Sequence, residues 1–174
     1  MRKHFINNLP TILALLVILL VFHSWFTLKP LCKGDCNYFY PDNLESFLSV
    51  PYFWNSSPLS SGLGDFTLPT ISFSPPSVVL GLVYYFTNFD FSIIEKIVWF
   101  FPFLALSFFG ILYLSNALKI SRTASSLGGL FYLLNTYILM VIDGGQVGIA
   151  LGYAFFPWVI GTFYKAIESN KVFY

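Results

Sequence analysis

The chain has 174 residues, of which 56% are hydrophobic, 21% aromatic and only 10% charged. Soluble domains carry about a quarter charged residues, so this scarcity, with a mean hydropathy of +0.72, excludes a disordered chain and an ordinary cytosolic enzyme. Nine Lys and Arg nearly cancel eight Asp and Glu, and there are two cysteines, which leaves no strongly basic surface for nucleic acid and no disulfide scaffold.

These numbers predict an all-α integral membrane protein: a multi-pass bundle of about four spans in one membrane domain over 1–174. A spanning helix needs about 20 apolar residues, and the stretch 9–28 has that length with no Asp, Glu, Lys or Arg. It follows Arg2 and Lys3 as a signal peptide would, but His23-Ser24-Trp25-Phe26 supplies no small-residue cleavage site, so a retained span is expected. The second span, 93–118, is entered through Ile93-Ile94-Glu95-Lys96 and is charge-free from Ile97 to Leu118. The third, 124–142, carries soft breaks at Gly128-Gly129 and Asn135. The fourth, 147–164, has Gly148, Gly152 and Gly161 as small faces for close helix approach. Val78 to Phe86 is apolar but covers roughly 14 Å as a helix, too short to cross, and reads as an interfacial or re-entrant helix begun by Pro75-Pro76.

The charges fit a cytoplasmic N-terminus in a plasma membrane. Arg2, Lys3, Lys119, Arg122, Lys165 and Lys171 then lie inside, against Lys29, Lys33 and Lys96 outside, as the positive-inside bias requires. Among the acids only Glu168 falls inside.

The long outer loop, 29–92, is where chemistry is expected. Its segment from Leu44 to Trp54 suits a short helix in the membrane interface. Asp42, three residues before Glu45, has a helix-capping reading beside a catalytic one, and Ser92 with Glu95 reads as a capping box at the mouth of the second span, beside Asp90. Asp143 before Gly144-Gly145 reads as a turn residue. Asp35 has no apolar run behind it to cap. A carboxylate at the membrane surface can desolvate and act as a general base, while a solvated loop Asp is the plain alternative. Asp65, between Gly64 and Phe66, is either a second candidate or part of a glycine turn. Cys32 and Cys36 flank Asp35 as a possible disulfide or two thiols. No metal site is expected there, because His4 and His23 lie elsewhere. Asn55-Ser56-Ser57 matches a short glycosylation acceptor. Walker, dinucleotide, HExxH and Gly-x-Ser-x-Gly motifs are missing, and the span centres carry no charge of the kind ion-coupled transport uses.

The layout resembles the N-terminal part of the C-type membrane glycosyltransferases, and within them the arabinofuranosyltransferase-like membrane proteins. The likeness is carried by Gly34-Asp35, Tyr40-Pro41-Asp42, Trp54, the Pro75-Pro76 helix and Trp99. Gly129-Leu130-Phe131-Tyr132-Leu133-Leu134-Asn135 and Pro157-Trp158 complete it. It runs over nearly the whole chain through short motifs. It implies transfer of a sugar from a polyprenyl-phosphate donor to a glycan, lipid or protein acceptor of the cell envelope at the outer face. Asp35 matches the family's loop aspartate that acts as base, and Asp42 a second acidic position. Asp65, Lys33 and Trp54 are the expected substrate-binding residues, with Lys33 or Lys29 near the departing phosphate. No cofactor is implied, and a divalent metal stays open. Enzymes of this class carry further spans, so the chain is expected to be the N-terminal part of a larger protein. The alternative is a non-catalytic multi-pass subunit or a transporter fragment.

Overall fold

The computed structural model describes residues 2–31, 75–87 and 89–169. All regular structure among them is helical. Helix α1 runs Arg2–Val21 and is followed by a 3₁₀ turn, His23–Phe26. Helix α2 is Pro75–Thr87. A five-residue helix α3, Phe91–Glu95, passes through a π-helical turn, Lys96–Phe100, into α4, Phe101–Ala117. Helices α5, Arg122–Leu133, α6, Thr136–Asp143, and α7, Val147–Glu168, complete the order.

Two helices are long and apolar enough to cross a membrane, Phe91–Ala117 and Val147–Glu168. A third span results if α5 and α6, bent by 41° at their junction, are counted as one. The expected first span is not a single helix over 9–28. Its apolar helical part is Asn8–Val21, and the regular helix ends before Phe22. There the Leu20 carbonyl is taken by His23 Nδ1 at 2.9 Å, and Trp25 turns in against Phe22 and Phe100 with ring centroids 4.6 and 4.8 Å away. Tertiary aromatic packing ends the helix where hydropathy alone would continue it. The short apolar segment is a 13-residue helix that starts at Pro75 as expected. At about 1.5 Å per residue it is too short to span.

The break in the third apolar stretch falls at Asn135 and not at Gly128-Gly129. Asn135 adopts an extended conformation and its Oδ1 accepts from Tyr137 N at 3.0 Å, so it caps α6. Gly129 has a packing role: a Cβ there would lie 2.7 Å from Phe108 Cδ2. Gly110 and Gly161 play the same part between α4 and α7, against Trp158 and the Tyr113 ring, at 2.7 and 2.8 Å. Gly148 and Gly152 face open space.

Helix α4 lies between α5 and α7, and α1 packs on α5. Ile94, Trp99, Phe103, Phe108, Leu133, Ile138 and Ala154 form the buried core. The outer faces of the long helices are also apolar, with Leu20, Phe131, Phe156, Val159 and Phe163 all exposed. Isolated exposed apolar residues are ordinary, but whole helix faces of them are not typical of a surface in water.

One device ties α5 to α7. Pro157 inside α7 has no N–H, so the Tyr153 carbonyl four residues back loses its helical partner. The Tyr132 hydroxyl donates to that carbonyl at 2.7 Å. Tyr132's own carbonyl lies in the last turn of α5, where helical donors run out, and accepts from the Tyr153 hydroxyl at 2.9 Å. The two rings stack at 4.0 Å and 11°. Two helix irregularities are thus satisfied by one reciprocal pair.

Candidate functional site

At the end of the described N-terminal segment, residues 29–31 meet the start of the long apolar helix. Asp90 is the N-cap of α3 and makes no side-chain capping bond. Glu95 does not turn back to complete a capping box with Ser92, as its spacing suggests. It is fully buried, and its carboxylate accepts from the Leu31 backbone N–H. Lys96 is buried beside it: its Nζ donates to the Lys29 carbonyl at 2.8 Å and stands 4.0 Å from Glu95 Oε1.

Adjacent residues of a helix point about 100° apart and do not normally share a target. Here Glu95 ends α3 and Lys96 opens the π turn, in which the Phe101 N–H reaches back five residues to the Lys96 carbonyl. Such single-turn π segments recur at functional sites. The backbone of 29–31 then supplies an N–H to the carboxylate and a carbonyl to the ammonium. A buried charge without partners is strongly unfavourable, and this arrangement gives each charge both a counter-charge and a hydrogen bond. Below it the 3₁₀ turn forms an aromatic floor: Trp25 on Phe100, Phe26 stacked on Phe101 at 5.3 Å, and Trp99 edge-on to Phe91 at 6.1 Å. The side chains of the pair are themselves almost fully removed from solvent.

The geometry is a clamp. It joins the residues just before position 32 to those just after position 90, the two ends of the long loop expected from the sequence. The residues on which loop chemistry was expected, Cys32, Lys33, Asp35, Cys36, Asp42, Trp54 and Asp65, lie outside the described residues, as does the Asn55 acceptor. Cys32 is the residue after Leu31, and Asp35 follows Leu31 by four positions, a reach of at most about 14 Å along an extended chain. Among the described residues no three His, Cys, Asp or Glu gather as a metal site.

Sequence reasoning gave Glu95 only a capping role and Lys96 none, and it did not join the two. The available signal was an acid–base pair abutting a charge-free stretch of more than 20 residues, where burial of the helix end draws the charges in with it. No known protein family, curated protein or solved structure matches the chain.

Proposed function

We propose that the chain is a multi-pass membrane protein with a cytoplasmic N-terminus, and that its outer loop carries the catalytic part of a C-type glycosyltransferase. In this reading α1, the long helix Phe91–Ala117, the bent α5–α6 pair and α7 are the four spans, and α2 lies in the interface or re-enters. The observation that carries the reading is the buried Glu95–Lys96 clamp. It holds the base of a long, aromatic and acidic loop at one place, four residues from Asp35. The apolar outer faces of the long helices support the bilayer as surroundings.

The chemistry would be direct sugar transfer. The Asp35 carboxylate takes the proton from the acceptor hydroxyl as that oxygen bonds to the anomeric carbon. The bond from that carbon to the donor phosphate oxygen breaks, and polyprenyl phosphate leaves with the electron pair. Lys33 stands near enough in sequence to balance the charge on the leaving phosphate. Asp42, Asp65 and Trp54 would contact donor or acceptor.

The test is Asp35→Asn in the full-length protein, assayed with polyprenyl-phosphate sugars. Loss of transfer with intact folding supports the reading. Transfer at the parental rate removes Asp35 from it, and no transfer by the parent with lipid-linked pentose and hexose donors removes the enzyme reading. A second reading, a non-catalytic multi-pass subunit, is favoured by one observation. The buried charges among the described residues hold two chain segments together. Cell complementation by the Asp35→Asn protein would support it.

A further inference from the structure

A second polar cluster lies at the other end of the bundle, where α1 packs on α5. Ser126 Oγ donates to the Arg122 carbonyl at 2.9 Å, so its hydrogen is committed. The 3.1 Å contact between Thr11 Oγ1 and Ser126 Oγ therefore has Thr11 as the donor. Thr11 in turn accepts from Arg122 Nε at 3.3 Å. The hydroxyls of Thr11 and Ser126 are buried, at 7% and 2% exposure, while Arg122 itself is exposed. A closed ring of hydrogen bonds thus fixes the guanidinium by its Nε and leaves its other four N–H groups unassigned. No carboxylate among the described residues pairs with it.

The ring meets an open groove of about 270 Å³ between the same two helices at Ser126, which lines it, while Arg122 stands outside the lining. Leu9, Leu13 and Val17 of α1 and Thr123 and Leu127 of α5 line it. From Leu9 to Val17 it follows α1 for about 12 Å. Its volume lies just below the range of roughly 300–1,000 Å³ typical of small-molecule pockets, and its length suits one extended chain. Apolar groove and oriented guanidinium together describe an amphiphile with an anionic head. The planar fork of Arg matches phosphate oxygens two at a time, and basic sites between helices on the cytoplasmic side bind anionic lipid head groups.

We propose that this groove holds one anionic phospholipid, its phosphate on Arg122 and one acyl chain along Leu9, Leu13 and Val17. The site is at the opposite end of the bundle from the Glu95 clamp and is independent of any sugar chemistry. It rests on the membrane reading, so bilayer insertion is scored separately by carbonate extraction of the same preparations.

The experiment uses the full chain in detergent, titrated with phosphatidylglycerol or phosphatidylcholine and read by native mass spectrometry of lipid adducts. The expected result is one retained phosphatidylglycerol, with binding at least roughly tenfold weaker in Arg122→Gln, which loses a charge-assisted contact. Leu13→Trp fills the groove, keeps the cation and should also lose the adduct. Glycerol phosphate, the head group without chains, should neither bind nor compete. Equal retention of both lipids, an unchanged Leu13→Trp, or competition by glycerol phosphate each overturns the proposal. If Arg122→Gln does not fold, Leu13→Trp alone decides between the outcomes.

Discussion

Replacing Glu95 by Gln isolates the charge of the clamp from its shape. Gln retains a side-chain oxygen that can accept the Leu31 N–H, but it removes the negative charge 4.0 Å from Lys96 Nζ. At that distance and an effective dielectric of about 20, the attraction is about 4 kcal/mol. Measurements of buried pairs broken on one side give a similar loss, about 3–5 kcal/mol, because the surviving charge stays buried without compensation. Lys96 keeps its bond to the Lys29 carbonyl, which places the expected loss at the lower end, about 3 kcal/mol. For a chain of this size that lowers the melting midpoint by roughly 6–12 °C. Thermal unfolding in one detergent would be followed by near-ultraviolet circular dichroism, which reads Trp25 and Trp99 at the site. The double variant Glu95→Gln with Lys96→Met should recover part of the loss, because it leaves no buried charge. A Glu95→Gln midpoint within about 1 °C of the parent, or a double variant whose loss is the sum of the two singles, would refute the clamp.

Four further outcomes are expected, three from the packing and one from the proposed topology. Tyr132→Phe keeps the ring stacking but leaves the Tyr153 carbonyl with no donor, since Pro157 cannot supply one; a loss of about 1–3 kcal/mol is expected in the same unfolding assay. Gly110→Ala and Gly161→Ala place a methyl at 2.7–2.8 Å from the Trp158 and Tyr113 rings and should each destabilise by about 1–3 kcal/mol, whereas Gly152→Ala meets nothing within 4 Å and should be neutral or stabilising by up to about 1 kcal/mol. In a protein with both native cysteines replaced by Ser, Asp65→Cys should be labelled by an impermeant thiol reagent from outside intact cells; protection would reverse the proposed orientation. Lys119 donates to Glu168 at 2.9 Å on the surface, and this hydrogen bond, with the attraction of the carboxylate, raises its pKa above the ordinary 10.5. A raised folded-state pKa means a contribution present below pH 10.5 and lost as pH rises through the folded value. Stability across pH 7–9 should therefore be unaffected by Lys119→Met apart from a small constant offset, measured as the difference between the two midpoints.

Hydropathy located the helices because it is a local property. The stretches beginning near 93 and 147 needed only their own composition to be read as spans, and the structure gives helices at Phe91–Ala117 and Val147–Glu168. Pro75-Pro76 as a helix start and Asn135 as a break were likewise readable, since a proline ring and an Asx cap act on their own neighbours. Spacing misled at Ser92 and Glu95. A capping box is a local rule, and here a segment more than 60 residues away offered the carboxylate a backbone N–H in a buried setting. It misled again at 22–28, where aromatic rings reaching Phe100 and Phe101 ended the helix early. The expected catalytic residues, Asp35 foremost, rest on sequence alone, because they lie outside the described residues.

The sequence by itself determined that the chain is mostly apolar helix, where the long helices lie and which segments are too short to cross, because each depends on residues within a turn or two. Tertiary structure alone decided which charges are buried and what they hold. Lys29, Leu31, Glu95 and Lys96 meet because two helix ends pack together, and Tyr132 meets Tyr153 because α5 and α7 do. Partners brought together across such distances leave no periodic mark in the chain, only isolated polar residues at the margins of apolar stretches.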